Sequence, residues 1–198
     1  MNKISKALLL TVTGALLVGT LKQEQAILAA ALLSILLAHL ARIWLRKSLG
    51  RALEELYYLV TFGTIGFLTE SWGTQNGHWT YHHLPSGQYV PLWVPIAWSI
   101  AAVLLDKTDD HLREFLAGMK SPFHPPLRIG MMYLMGILLP LAGESICIAL
   151  GVWEYHWPFK VLGVPILALL LISYTHLVFS MIRSGGRRLF AGMENRSQ

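Results

Sequence analysis

Two acidic residues, Glu70 and Glu144, lie 74 positions apart at the start of the same local pattern. The first copy reads E-S-W-G-T-Q-N-G-H-W-T-Y (70–81), and the second reads E-S-I-C-I-A-L-G-V-W-E-Y (144–155). Glu, Ser, Gly, Trp and Tyr recur at the same offsets, and a proline-led apolar segment follows each copy. Residue types that each make up only several per cent of an average protein seldom coincide so often. The pattern therefore indicates an internal repeat, here called the repeated motif.

The two carboxyl groups are the candidates for acid–base chemistry. Two equivalent helices would present Glu70 and Glu144 to a shared cavity, where repulsion and loss of water favour one protonated acid beside one ionised base. That arrangement suits proton transfer to and from a weakly basic substrate. The alternative is that both residues lie at the membrane boundary and only cap or staple neighbouring helices. The sequence leaves both possibilities open.

The aromatic residues of the motif are candidates for lining the site: Trp79, Tyr81, Trp153 and Tyr155. Glu154 is a further candidate for binding the substrate. They lie at alternate positions, so each pair shares one face of an extended segment. Aromatic faces attract cations, including a carbocation formed by protonating an alkene. Trp and Tyr are also common in belts at membrane–water interfaces. The belt interpretation accounts for most of the other tryptophans near this boundary: Trp72, Trp93, Trp98 and Trp157.

Composition predicts an all-α polytopic membrane protein. Of the 198 residues, 54% are hydrophobic and 14% are charged, against about 25% charged in soluble domains. A bilayer core requires roughly 20 apolar helical residues. Six segments qualify, and we predict a six-helix transmembrane bundle from them: 7–21, 25–45, 53–71, 91–106, 128–149 and 161–182. The first of these also resembles a signal peptide, although no convincing cleavage site follows it.

The basic residues predict the orientation of the bundle. Of the 16 Lys and Arg residues, 14 fall on one side of the predicted helices, and only Lys22 and Lys160 lie opposite. The positive-inside rule then places both termini in the cytoplasm, most simply in a bacterial inner membrane. The net charge of +5 reflects this bias and requires no nucleic-acid partner.

We expect one transmembrane domain built around two similar units. Each unit is a helix, an outer loop carrying the motif, and a second helix, and the two should be related by an axis near the membrane normal. The predicted divisions are an N-terminal helix pair (1–50), repeat unit 1 (53–106), a cytoplasmic linker (107–127), repeat unit 2 (128–182) and a basic C-terminal tail (183–198).

The histidines suggest a competing chemistry. The segment H-W-T-Y-H-H, with His78, His82 and His83, has the spacing of membrane di-iron oxygenases. Such enzymes need several clusters of this kind, whereas the remaining histidines are scattered singly. The single cysteine, Cys147, lies in an apolar segment and excludes a disulfide within the chain. We therefore predict no metal and no cofactor.

The repeated motif and the proline-led helix after it resemble the lycopene cyclase domain proteins and related carotenoid-pathway membrane hydratases. G-H-W-T-Y (77–81) and G-V-W-E-Y (151–155) carry this resemblance, which covers about 65–110 and 140–175. It implies a bundle of repeated helical units with intramembrane acids. A more distant similarity is to membrane meroterpenoid cyclases, which use carboxylic acids to open an epoxide or to protonate an alkene.

The sequence thus predicts a membrane enzyme that protonates, cyclises, hydrates or isomerises an isoprenoid or similar lipid-soluble substrate. Glu70 and Glu144 would be its acid and base. The alternative is a non-catalytic membrane protein (a small transporter, a lipid-binding protein or an assembly factor) that uses the same cavity to bind its ligand or partner.

Overall fold

The computed structural model describes residues 3–117, 124–178 and 183. This part of the chain is mostly helical and contains six helices: α1 (Lys3–Thr20), α2 (Gln25–Arg46), α3 (Leu49–Gln75), α4 (Val94–Ala117), α5 (His124–Ala149) and α6 (Ile166–Val178). It also contains four short strands: β1 (Trp79–Tyr81), β2 (Trp153–Tyr155), β3 (Lys160–Val161) and β4 (Val164–Pro165). The prediction of an all-α bundle is confirmed for the helices, while the strands are an addition that the sequence analysis did not foresee.

The two copies of the repeated motif pair with each other. Strands β1 and β2 are antiparallel, with Thr80 opposite Glu154 at the centre of the register. Two equivalent backbone bonds extend the ladder, from His82 N to the Val152 carbonyl (2.9 Å) and from His156 N to the His78 carbonyl (2.8 Å). Because α3 leads into β1 and α5 leads into β2, both helices end at the same end of the bundle. We call this the strand end, and the opposite end the linker end.

Glycines at equivalent positions end α3 and α5. Gly77 has φ 70° and Gly151 has φ 67°, as the sequence predicted for a chain leaving a helix. The next residue in each copy donates its backbone N–H to a carbonyl five positions back, at 2.9 Å in both copies. This is the Schellman arrangement, in which a left-handed residue satisfies the last helical carbonyls. Local sequence therefore determines where each helix ends and the chain turns towards the following strand.

Small residues let the helices of the bundle approach closely. On α3, Gly63 faces Ser99 of α4 and Gly66 faces the Trp98 ring, and a Cβ at either position would overlap its neighbour. On α5, Gly136 faces Ser173 of α6 in the same way. Helix α1 packs on α5, where Gly19 faces the Leu150 side chain.

The structure corrects the bounds of the predicted linker (107–127). Helix α4 continues through Ala117, so residues 107–117 are helical, and α5 already begins at His124. The polar stretch nevertheless carries apolar residues at helical spacing, since Leu105, Leu112 and Leu116 are all buried. Amphipathic periodicity outweighed charge here. Residues 118–123 lie outside the described part of the chain.

Two further boundaries differ from the prediction. The predicted helix 161–182 begins with the β3–β4 hairpin, and the helix itself starts at Ile166. The predicted helix 91–106 starts three residues late, because Pro91 and the residues after it form the turn that leads into α4. Of the predicted basic tail, only Arg183 lies within the described residues.

Two helices are long and apolar enough to cross a membrane. They are α2 and the part of α5 from Pro126 to Ala149, while α1 and α6 contain apolar helices of shorter length. Each of the six predicted segments contains helix, so the helical bundle is confirmed, whereas within the described residues only these two helices have the length and composition of a membrane span.

Charged side chains pair at the linker end. Buried Glu55 bonds to His39 (3.0 Å) and to Arg183 (2.6 Å). Asp109, only 3% exposed, accepts two bonds from the Arg128 guanidinium at 3.1 and 3.2 Å. These pairs join the ends of α2, α3, α4 and α5 on the side opposite the repeated motif.

Candidate acid–aromatic site

Glu70, in the last two turns of α3, accepts three hydrogen bonds. Its Oε2 accepts from Trp79 Nε1 at 2.8 Å and from the Tyr81 hydroxyl at 2.9 Å. Its Oε1 accepts from Trp98 Nε1 of α4 at 3.1 Å. Both oxygens of this carboxyl group are therefore engaged by aromatic donors.

Glu144, at the equivalent position of α5, has two donors among the described residues. Its Oε2 accepts from Trp153 Nε1 at 3.1 Å and from the Tyr155 hydroxyl at 2.8 Å, the same offsets of nine and eleven residues as in the first copy. Within the described part of the chain, its Oε1 makes no hydrogen bond. The position that Trp98 occupies beside Glu70 thus has no equivalent beside Glu144.

The alternation of the strands explains why these donors converge. In an extended W-x-Y segment the Trp and Tyr side chains point to one face, and both strands turn that face towards the helices. The antiparallel register then sets Trp79 opposite Tyr155 and Tyr81 opposite Trp153. The two pairs of rings meet edge to face, with centroids 5.7 and 5.5 Å apart. The four motif aromatics form a box over the two carboxyl groups.

Three further tryptophans belong to this aromatic cluster. Trp93 is 4% exposed and lies edge-on to Tyr81 at 6.2 Å between centroids. Trp157 lies edge-on to Trp79 at 5.8 Å, and Trp98 bonds to Glu70 as described above. These three side chains thus contact the site itself, whereas Trp72 is 54% exposed, as the membrane-belt interpretation expects.

Local sequence carries only a weak signal for these additional tryptophans. A buried Trp and an interfacial Trp look alike in a local sequence, because both sit beside apolar residues at a helix end. Trp98 faces Gly66 across the α3–α4 contact. A glycine on one helix opposite a tryptophan on the next is the one sequence feature that could have indicated that Trp98 packs between the helices.

A cavity of about 320 Å³ runs inside the bundle from this cluster towards the linker end. Both carboxyl groups line it, which explains why Glu70 and Glu144 are partly accessible although they lie inside the bundle. Its wall is mostly apolar, and among the described residues it includes no lysine or arginine. Apolar residues of α1, α4, α5 and α6 form the walls, among them Leu10, Val18, Leu104, Leu139, Ala168 and Ile172.

The two tyrosine hydroxyls are held in their protonated form. Burial raises the pKa of Tyr81 well above its usual value, and the neighbouring Glu70 carboxyl raises it further. Burial and the Glu144 carboxyl act on the pKa of Tyr155 in the same direction. Each phenol is therefore a hydrogen-bond donor to its carboxyl group rather than a base.

The remaining candidate residues lie outside the cavity wall. Glu154 is exposed, on the strand face opposite Trp153 and Tyr155, so the structure does not bring it together with the other predicted site residues. His78 accepts from Trp157 Nε1 at 2.9 Å, and His83 is exposed. In the described ranges, no group of three or more His, Cys, Asp or Glu residues is placed to hold a metal ion.

Comparisons of this chain with protein-family models, with curated proteins and with solved structures found no match.

Proposed function

We propose that this chain is an integral-membrane enzyme that carries out acid–base chemistry on an isoprenoid or similar lipid. The observation that carries the proposal is the unequal hydrogen bonding of two equivalent acids in one cavity. Glu70 has three donors on two oxygens, whereas Glu144 has two donors on one oxygen and leaves the other towards a mostly apolar space.

The unequal environments assign the roles. Hydrogen bonds from neutral donors stabilise a carboxylate, so Glu70 is the better-stabilised anion and acts as the base. A second charge in the same apolar cavity would cost several kcal/mol, so Glu144 carries the proton on its free Oε1 and acts as the acid.

The reaction can be written with its atoms in balance. Glu144 Oε1 transfers its proton to one carbon of an alkene, whose π electrons form the new C–H bond and leave a carbocation at the other carbon. Attack by a second alkene of the same molecule would close a ring at this stage. Glu70 then removes a proton from a neighbouring carbon and restores a double bond. The net result is isomerisation or cyclisation, and the cycle is completed when Glu70 releases its proton to the solvent and Glu144 takes one up from the solvent. Addition of water to the cation, with loss of one proton of that water to Glu70, would give hydration instead.

The aromatic box supports the cationic stage of this reaction. Ring faces attract a cation within about 6 Å of the centroid, and tryptophan and tyrosine rings surround both carboxyl groups. Two positions, Trp79 and Trp153, also fix the orientation of the carboxyl groups through their Nε1 donors. One set of side chains would therefore position the acids and stabilise the intermediate.

Surface composition supports the membrane part of the proposal. Large apolar side chains are exposed along the helices, as with Leu33, Leu37, Val60 and Leu68. An apolar exterior of this extent suits lipid better than water. We extend the proposal to six membrane-crossing helices with both termini in the cytoplasm, on the basis of the 14-to-2 distribution of Lys and Arg. The resemblance to lycopene cyclase domain proteins agrees with this class of chemistry.

Solvent deuterium tests the proposal. Membranes containing the protein would be incubated in D₂O with a lipid extract from cells that lack it, and the products compared by mass spectrometry with an incubation in water. We expect a product that carries one deuterium on carbon, and its loss in Glu144→Gln. A product without solvent deuterium, or the same product from the Glu144→Gln membranes, would contradict the acid role.

The alternative function is lipid binding without turnover, as in a small transporter or an assembly factor. The cavity supports this alternative as well, since it would hold a lipid whether or not the acids react. The two functions separate in one comparison: an identical lipid profile in cells with and without the protein, together with saturable binding of a lipid, would favour the non-catalytic protein.

A further inference from the structure

A buried imidazole lines the cavity at the end away from the acids. His176 of α6 is 6% exposed, and its side chain forms part of the cavity wall. Among the described residues, it makes no hydrogen bond. Buried polar groups in folded proteins nearly always have a hydrogen-bond partner, so a buried imidazole on a cavity wall indicates a ligand atom that supplies one.

Helix contacts give the separation between His176 and the acids. Ser173 lies beside Gly136 of α5. From there, Glu144 is eight residues towards the strand end, and His176 is three residues towards the linker end. Eleven residues of helical rise, at about 1.5 Å each, place the two groups about 16 Å apart along the bundle. The space between them is lined by apolar side chains, including Leu139 and Ile172.

The charges around His176 exclude an anionic head group. Among the described residues, the ionisable group that acts on its charge is the Asp109 carboxylate, which is itself paired with Arg128. The described cavity wall offers no lysine or arginine, the side chains that bind phosphates. A diphosphate would therefore be buried without a counter-charge, whereas a hydroxyl or carbonyl oxygen needs only one hydrogen bond.

We propose that the cavity binds a linear lipid whose neutral oxygen-bearing end, an alcohol or a carbonyl, bonds to His176, while its unsaturated tail reaches Glu70 and Glu144. This inference rests on the proposed function for what happens at the tail, but the binding of the head group stands apart from turnover. It narrows the substrate class to neutral isoprenoid alcohols or carbonyl compounds and excludes prenyl diphosphates.

Three probes of one carbon skeleton test the head group: farnesol, farnesyl diphosphate and the hydrocarbon farnesene. Binding to the purified full-length protein in detergent would be followed by quenching of tryptophan fluorescence, since five tryptophans line the cavity. We expect farnesol to bind about tenfold more tightly than the other two, because one satisfied hydrogen bond is worth about 1 kcal/mol and a tenfold change about 1.4 kcal/mol. Equal binding of the three, tighter binding of the diphosphate, or no saturable quenching by any of them would overturn the proposal.

His176→Leu should bring farnesol down to the affinity of farnesene. The melting temperature of the ligand-free variant should be unchanged or higher, because a buried imidazole without a partner is replaced by an apolar side chain. His83→Leu, in an exposed turn, is the matched control and should leave all three affinities unchanged. A large fall in melting temperature, or unaltered preference for farnesol in His176→Leu, would make His176 a structural residue.

Glu144→Gln separates this inference from the proposed function. It should keep the preference for farnesol while abolishing turnover. If it remains active, the acid–base role is wrong and the head-group site still stands. If His176→Leu loses no preference while Glu144→Gln is inactive, the head-group site is wrong and the acid–base role stands.

Discussion

Ser99 and Ser173 occupy equivalent positions in two helix pairs. Ser99 of α4 donates its Oγ hydrogen to the Leu59 carbonyl of α3 at 2.8 Å, and Ser173 of α6 donates to the Tyr133 carbonyl of α5 at 2.8 Å. Both the donors and the acceptors lie 74 positions apart, the offset that separates Glu70 from Glu144. The repeat therefore extends beyond the twelve-residue motif into the contact between helices. Full superposition of units 53–106 and 128–182 stays a prediction.

The two Glu→Gln variants should differ in stability. A glutamine at position 70 would offer one acceptor oxygen and would set its NH₂ group against a Trp donor, so we expect a loss of about 1–3 kcal/mol in the free energy of unfolding. A glutamine at position 144 keeps the one oxygen that is used, so its melting temperature should stay near that of the wild type. Turnover should be lost in both, because an amide cannot deliver or take up the proton. Thermal unfolding in detergent and product assays on the same preparations check both points.

Equal stability of the two variants would contradict the assignment of three donors to one acid and two to the other. Full activity in either would remove that residue from the catalytic role.

The two tyrosines should show a related contrast. Tyr155→Phe removes one of the two donors of Glu144, whereas Tyr81→Phe leaves two of three donors on Glu70. Each change should cost about 1 kcal/mol of stability, the net value of one hydrogen bond. We expect Tyr155→Phe to reduce turnover more, because it frees the rotation of the proposed acid. Rates measured at saturating substrate, with Tyr89→Phe in an exposed loop as the control, check this order. A larger effect at Tyr81 would reverse the assignment of acid and base.

Trp79 and Trp153 should contribute to activity through both their aromatic rings and their Nε1 hydrogen-bond donors. Trp79→Leu and Trp153→Leu remove a ring over the cavity and a donor to a carboxyl group, so we expect at least a tenfold loss of activity. Trp153→Phe keeps most of the ring area and should retain part of the activity. Trp72→Leu is the matched control, since Trp72 is exposed and suits an interfacial anchor.

Trp93 and Trp157 are unsuitable as controls, because both contact the motif aromatics. We expect their Leu variants to lose activity as well. Equal, mild losses at Trp72, Trp79 and Trp153 would make the motif aromatics membrane anchors and would favour the non-catalytic function.

Gly73 should tolerate no side chain. A Cβ at this position of α3 would lie 1.9 Å from an atom of the Trp79 indole, and the surrounding ring cluster leaves that indole little room to move. Gly73→Ala should therefore displace Trp79 from Glu70 and lower both stability and activity. Gly130→Ala on α5 is the control, because a Cβ there meets no atom within 4 Å and alanine favours a helix by about 0.5–1 kcal/mol over glycine. Similar melting temperatures for the two variants would mean that the Trp79 ring is not fixed by this contact.

Local sequence was sufficient for the features that depend on nearest neighbours. The glycines at 77 and 151 end helices because no side chain stands in the way of positive φ, and the W-x-Y alternation placed two rings of each copy on one face. Apolar runs predicted six segments, and each of them contains a helix, although the bounds of the fourth and the sixth differ from the prediction. The prediction of Glu70 and Glu144 as a pair followed from their equal place in the repeat, and both line one cavity.

Only the tertiary structure decided what distinguishes the two halves. The strand register, the third donor that Trp98 gives to Glu70, the free oxygen of Glu144 and the placement of His176 on the cavity wall depend on how helices from distant parts of the chain pack together. The exclusion of Glu154 from the cavity likewise depended on which strand face turned towards the helices. A repeat in sequence predicts which residues occupy equivalent positions. The proposed chemistry depends instead on the differences between the two halves. Those differences arise from contacts between segments that are distant in the sequence and that the repeat does not relate.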